Sequence, residues 1–363
     1  MQKYASIEQL RHVVDTVNSR ATYVGRDENN VPVYDTSRPR PTLTFTGTVK
    51  LHGTNAGIGF SLPSGDWYAQ SRERVLSLEA DNAGFCAFIS DPRHEASRQA
   101  LLQAAHEVAH NLEFDLATAL SVTYFGEFCG PQVNMKAAIG QVGSAFYCFG
   151  VSVLWADERS VWLPLDAVKA AYRQRVAPEQ ASPDLRFITD FAQYAITIDF
   201  NQPEAALDEL ERLTQEVEAQ CPVAHALGQP GLGEGIVWSR MDPVYGPLMF
   251  KTKGAKHKGT RNQRLVDIAP EVLASLQAFV QAVVTESRLQ QGHDRIRERN
   301  GRVVLEDIGE FLAWMGKDVL KEEGDSLQAS GLDRKQAMSA VNNAAKKWFL
   351  AQLSQLEKVG PAC

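Results

Sequence analysis

The stretch TLTFTGTVKLHGTNAG, residues 42–57, decides the reading of this chain. Its first half alternates Thr with Leu, Phe, Gly and Val, the period-2 pattern of a strand that buries one face. The alternation ends at Lys50, and a tight turn containing Gly53 follows. A lysine at the end of a rigid element, beside such a turn, can act as a nucleophile toward a nucleotide phosphate. With an ordinary amine pKa near 10.4, only on the order of one such amine in a thousand is neutral near pH 7. The site must therefore disfavour the ammonium through desolvation or neighbouring cations.

Later segments supply charged partners in order. TYFGEFCGP (123–131) is a β-type run with one carboxylate, Glu127, and AFYCFGVSV (145–153) is an aromatic-rich β-type run. GLGEGIVWSR (231–240) presents Glu234 at the mouth of a strand, and LMFKTKGAKHKG (248–259) sets Lys251 and Lys253 two apart. Period-2 geometry puts those two ammoniums on one strand face, where they are expected to meet a triphosphate and to disfavour a charge on Lys50.

This ordered set, running from about Lys50 to Lys253, resembles the covalent nucleotidyltransferases. Within them it is most similar to the RNA ligase 2 family, which includes the kinetoplastid RNA-editing ligases. The distinctive part is K-x-H-G-x-N, met by Lys50, His52, Gly53 and Asn55, where DNA ligases and capping enzymes usually carry K-x-D-G. Four fixed positions arise by chance in on the order of one in a thousand chains of this length.

The resemblance implies an α+β fold: a nucleotidyltransferase domain of antiparallel sheets flanked by helices, followed by a small all-α domain. It implies an ATP-dependent RNA ligase that uses Mg²⁺ or Mn²⁺ and joins 3'-hydroxyl and 5'-phosphate RNA ends through lysyl-AMP and RNA-adenylate intermediates, at breaks in duplex RNA. Lys50 is the lysine expected to carry AMP, while His52 and Asn55 hold the reacting phosphate and the 5'-phosphate end. Arg72 matches the arginine after the second strand, with Arg74 as an alternative. Glu127 reads the ribose and helps place metal-bound water, Phe149 stacks on adenine, and Glu234 lies near the catalytic metal. Glu127 and Glu234 are the expected metal-side carboxylates, and Lys251 and Lys253 the pair on the α-phosphate. Two departures stand out. The aromatic motif usually ends Phe-Asp and here ends Phe149-Gly150, which leaves Phe146 open as the stacking residue. Before the lysine, where the family often has Glu, stands Val49.

Bulk properties agree with such a protein. At 363 residues and 44% hydrophobic content the chain can bury a substantial core in two domains. It has no apolar run of about 18 residues and no signal-peptide pattern at its start, so a cytoplasmic protein with no membrane partner is expected. A monomer is expected. Five widely spaced cysteines without a CxxC pair read as reduced thiols. The net charge of −7 does not suit a protein that coats nucleic acid, but KTKGAKHKGTRNQR (251–264) carries six Lys or Arg and no acid. That strip is the expected contact for RNA.

Along the chain, SIEQLRHVVDTV (6–17) reads as a helix with a Ser6–Gln9 capping-box spacing, and residues 20–41 read as loop. Strands are expected at 42–49, 56–60, 66–72, 121–129, 145–154 and 159–163, with helix across much of 78–120. The interval 165–230 reads as a helix, EAALDELERLTQEVEAQ (204–220), among proline-bearing loops. Beyond Arg264 only helical patterns occur: 270–290, 306–323 and 333–359. The expected domains are 1–262, nucleotidyltransferase, and 263–363, helical.

Three rival readings carry different chemistry. HEVAH (106–110) has the H-E-x-x-H spacing of zinc metalloproteases, but the extended pattern fails at Glu113 and Leu116. A DNA ligase or capping-type enzyme is the alternative within the superfamily, disfavoured by His52 and by the absence of an OB-type strand series after Lys253. A non-catalytic RNA-binding module leaves the joint presence of Lys50, Glu127, Glu234, Lys251 and Lys253 unexplained.

Overall fold

The computed structural model describes residues 1–5, 7–133, 137–254 and 276–359. Two compact units emerge, each assembled from separate pieces of chain. One comprises Met1–Ser6, Gly47–Tyr194 and Glu216–Ile236; the other comprises Ile7–Thr46, Ala195–Gln215 and Val237–Cys363. The expected boundary at 262/263 lies outside the described residues.

The first unit is built on a mixed sheet. Its strands run in the order Trp67–Ser71, Thr54–Ser61, Ala119–Cys129, Ala145–Trp155 and Ser160–Leu163, each antiparallel to its neighbour. A sixth, Leu185–Phe187, pairs in parallel with Ala145–Trp155, against the antiparallel expectation. One face carries Ile58, Val122, Tyr124, Phe128, Phe146 and Val151 against the helices Glu95–Asn111 and Leu165–Arg175. Glu95–Asn111 buries its small residues Ala100, Ala104, Ala105 and Ala109, which lets the helix approach the sheet closely. The Tyr124 hydroxyl donates to the Leu101 carbonyl at 2.5 Å, so its one polar atom is satisfied inside the core.

The second unit contains most of a four-stranded sheet in the order Gln193–Asp199, Thr42–Lys50, Gly235–Asp242 and Gly246–Lys253. The strand Thr42–Lys50 alternates as its sequence demands: Leu43, Phe45 and Val49 are buried, while Thr42 and Thr44 are exposed. Phe45 meets Phe250 at 5.3 Å and Phe200 at 6.3 Å. Trp238 donates its indole N–H to the Thr252 hydroxyl at 3.1 Å, and the Thr214 hydroxyl bonds Thr252 at 2.7 Å, closing a buried polar chain.

The C-terminal part is helical, with helices Leu276–Val283, Glu286–Asn300, Ile308–Ala329 and Arg334–Val359. Residues 270–290 were expected to form one helix. Thr285 instead leaves the helical region of φ/ψ and accepts from the Arg288 amide, starting a second helix. Arg288, 3% exposed, is held by Asp318 at 2.9 Å and by Glu323 at 3.4 Å. Phe279, Phe311, Met315, Val341 and Phe349 are fully buried in the two helical cores.

Three further expectations are corrected. The first helix begins at Leu10, not Ser6, because Glu8 pairs with the strand at Phe250 and Gln9 takes an extended conformation. The Gln9 side chain donates to Glu322, and Ser6 of the expected capping box lies outside the described residues. Within 20–41, Tyr23–Arg26 and Pro32–Tyr34 form an antiparallel hairpin. Strands Leu185–Phe187 and Gln193–Asp199 occupy part of the interval read as loop.

Candidate active site

The turn after Lys50 is defined by close packing. Gly53 lies so near the neighbouring strand that a Cβ would stand 2.4 Å from the Phe128 carbonyl oxygen, 2.7 Å from Cys129 Sγ and 2.8 Å from Glu127 Cγ. The Gly53 amide donates to Glu127 Oε1 at 3.0 Å, so the turn is held from below by a carboxylate. Gly53→Ala should therefore cost about 1–3 kcal/mol, since the nearest obstacle is backbone; the measurement is the denaturant midpoint against wild type.

From that turn the strand Thr54–Ser61 returns with Asn55 opposite Glu127, and Glu127 is opposite Tyr147. Cross-strand partners project from the same face, so Asn55, Glu127 and Tyr147 share one side of the sheet. Glu234, 5% exposed, enters from the loop before Gly235–Asp242, and Lys50 Nζ donates to its Oε2 at 2.7 Å. That loop is also packed to contact: a Cβ on Gly233 would lie 2.3 Å from the Val217 carbonyl oxygen. The sequence pattern set cations beside Lys50; its partner within this unit is an anion.

Burial pushes the Glu127 carboxyl up to about 7, reinforced by the nearby charge of Glu234 and opposed by Lys50, Arg72 and the Gly53 amide. The folded protein thus keeps a proton that the unfolded chain releases near 4.5, and stability falls as pH rises through that window. Glu127→Gln stays neutral throughout, so its melting temperature should gain on wild type between pH 5 and pH 8. An unchanged difference across that range would remove the pH role of Glu127.

Arg72 is exposed and acts on Glu127 through its charge. Arg74 is engaged elsewhere, where its guanidinium donates to the carbonyls of Ala80 and Asp81, the latter at 2.9 Å. Asp81 in turn accepts from the amides of Cys86 and Ala87 at the start of helix Phe85–Ser90. Phe146 is in the core against Phe85 at 5.5 Å, and a Cβ on Gly126 would strike it at 2.4 Å. Phe149 is half-buried, on the sheet side away from that core. It is the extra residue of a β-bulge in which Phe125 pairs with Gly150 and Gly126 with Cys148.

The sequence profile of the RNA ligase family matches residues 43–253, more than half of the chain. The chain belongs to the RNA ligase family. No curated protein matches it. Among solved structures, a variant of the Naegleria gruberi RNA ligase with ATP and Mn is similar at 14% identity and a TM-score of 0.39, over 70% of this chain and 56% of that one. The same Naegleria ligase with PPi gives the same values, and a variant with AMP and Mn gives 13% identity and a TM-score of 0.39. The chain spans little more than half the length of those chains.

His52 is half-buried in the turn after Lys50, and two further predicted residues belong to the second unit. Lys251 and Lys253 are both half-buried and flank the buried Thr252, as the period-2 reading requires. Lys251 Nζ donates to the Ile7 carbonyl at 3.4 Å and lies 3.9 Å from Glu322 of helix Ile308–Ala329. The basic strip 251–264 lies outside the described residues from 255 onward.

The metalloprotease alternative loses its chemistry. His106 and His110 are exposed on helix Glu95–Asn111, and Glu107 between them is ion-paired with Arg175. Among the described residues no group of three or more His, Cys, Asp or Glu is arranged to hold a metal. Cys86, Cys129, Cys148 and Cys221 are buried free thiols, and no described helix is long and apolar enough to cross a membrane. The residue that sequence reasoning missed is Tyr4, which contacts Phe149; a lone aromatic in a segment without periodicity gives no signal.

Proposed function

We propose that this RNA ligase uses ATP, forms a covalent lysyl-AMP on Lys50 and seals 3'-hydroxyl to 5'-phosphate RNA ends. The observation that carries the reading is the Lys50–Glu234 contact of 2.7 Å beside a turn whose Gly53 amide is bound by Glu127. Lys50, Glu234 and Glu127 meet at this strand end, and Asn55 and Tyr147 lie on the same side of the sheet as Glu127.

In the proposed reaction Lys50 leaves its ion pair, sheds a proton and forms an N–P bond with the ATP α-phosphorus as the bond to pyrophosphate breaks. A 5'-phosphate oxygen of the RNA then attacks the same phosphorus, breaking N–P, returning the amine and forming a 5'–5' pyrophosphate. The 3'-hydroxyl oxygen attacks the RNA 5'-phosphorus, making the phosphodiester, and AMP departs. Glu127 and Glu234 carry hard oxygen donors and would hold Mg²⁺ or Mn²⁺. Bound there, the ion would neutralise charge on phosphate oxygens. His52 and Asn55 are assigned to the reacting phosphate and the 5'-phosphate end, Phe149 to the base, Arg72 to the nucleotide, and Lys251 and Lys253 to the α-phosphate.

Residues 1–262 are assigned to nucleotide transfer and 263–363 to the helical domain, whose proposed role is engagement of duplex RNA at a break. A cytoplasmic monomer completes the reading. The test incubates the protein with α-labelled ATP or GTP and Mg²⁺. A covalent label from ATP, absent in Lys50→Ala, is expected; no label from any nucleotide would refute the assignment.

A further inference from the structure

The bulge leaves Phe149 without a ladder partner, whereas Phe146, Tyr147 and Trp155 of the same strand are paired. The Phe149 ring is nevertheless held on one side. Tyr4 meets Phe149 edge-on at 4.8 Å and also meets Trp162 at 5.1 Å and Phe125 at 5.3 Å. Room for this set exists because residue 150 is glycine: a Cβ there would stand 3.1 Å from Trp162 and 3.2 Å from Tyr4.

The segment that carries Tyr4 is anchored across the sheet. Gln2 donates from its side chain to the Ser152 hydroxyl at 2.7 Å, and its carbonyl accepts from Gln70 Nε2 at 2.7 Å. Both anchors are buried, Ser152 completely and Gln70 to 2% exposure. Lys3 adds an ion pair with Glu73 at 3.5 Å. Residues 2–4 are therefore fixed to the strand Trp67–Ser71 at one end of the sheet and to Ala145–Trp155 further in, with the tyrosine delivered to the bulge.

We propose that Tyr4 is a positioning residue for the nucleobase site: it fixes the ring of Phe149 in the orientation against which a purine stacks. The inference rests on the reading of Phe149 as the base-stacking residue. Edge-to-face aromatic pairs contribute about 0.5–1.5 kcal/mol beyond their burial, and a loose Phe149 must recover that order when the base arrives. Tyr4 itself need not touch the nucleotide.

The experiment is equilibrium binding of AMP by calorimetry, which does not depend on any covalent step, alongside ATP labelling of the same proteins. Tyr4→Ala is expected to weaken AMP binding roughly three- to tenfold and to raise KM for ATP in labelling by a similar factor, with the rate at saturating ATP unchanged. Tyr4→Phe, which keeps the ring, should bind AMP like wild type. Gln2→Ala, which frees the anchor without touching the aromatic set, should shift affinity in the same direction and serves if Tyr4→Ala fails to melt cooperatively. Wild-type affinity in both Tyr4→Ala and Gln2→Ala overturns the inference, as does a fall in the saturating rate with KM unchanged. Absence of label in a wild-type protein that binds AMP in a Tyr4-dependent way would refute lysyl-AMP formation while supporting the role of Tyr4.

Discussion

Lys50→Ala is expected to lose the covalent nucleotide label by at least about a thousandfold, because no other group replaces an attacking amine at the strand end. Sealing of RNA supplied with its 5' end already adenylylated should stay within about tenfold of wild type, since the N–P bond is then never needed. The pair of measurements separates a nucleophile from a structural lysine. A structural role would depress both activities together, and retention of label in Lys50→Ala would end the proposal.

Glu234→Gln carries the second large effect. The carboxylate is 5% exposed and bound to Lys50 at 2.7 Å, so the amide substitution keeps the shape but removes the charge. Loss of one preorganised charged group at a phosphoryl-transfer site costs about a hundred- to a thousandfold in rate, and labelling should fall by that order. Removing one partner of a buried pair also leaves the other charge uncompensated. A double-mutant cycle with Lys50→Met should therefore show coupling: the Glu234→Gln destabilisation read from denaturant midpoints should shrink when Lys50 is absent. Additive midpoints together with unimpaired labelling would mean that the contact is incidental.

The strand that ends at Lys50 was legible because Leu43, Phe45 and Val49 are buried at alternate positions, and a period-2 pattern needs no long-range information. The identity of the lysine's partner was not legible. Glu234 is 184 residues away in sequence, and nothing local distinguishes a carboxylate facing Lys50 from one facing solvent. The hairpin Tyr23–Arg26/Pro32–Tyr34 was missed for the opposite reason: its residues are largely exposed, so no burial pattern was imposed on them. The first helix began late because pairing of Glu8 with the strand at Phe250 outweighed a local capping signal. Sequence ranked Arg72 ahead of Arg74 but could not show that Arg74 bonds the carbonyls of Ala80 and Asp81 in the loop. Phe149 was the expected stacking residue with Phe146 left open, and no local pattern foretold the bulge that puts the two on different sides of the sheet.

Residues ahead of the first helix also complete the backbone around Lys251. The Lys251 amide donates to the Glu8 carbonyl at 3.1 Å, and the Glu8 amide donates to the Met249 carbonyl at 3.1 Å. Any recombinant version trimmed to begin at Leu10 would strip this outer rung from a strand whose lysines are assigned to phosphate. Its Lys251 amide should then exchange with deuterated water far sooner than in the intact chain, and tags are better fused at a distance from residues 7–9.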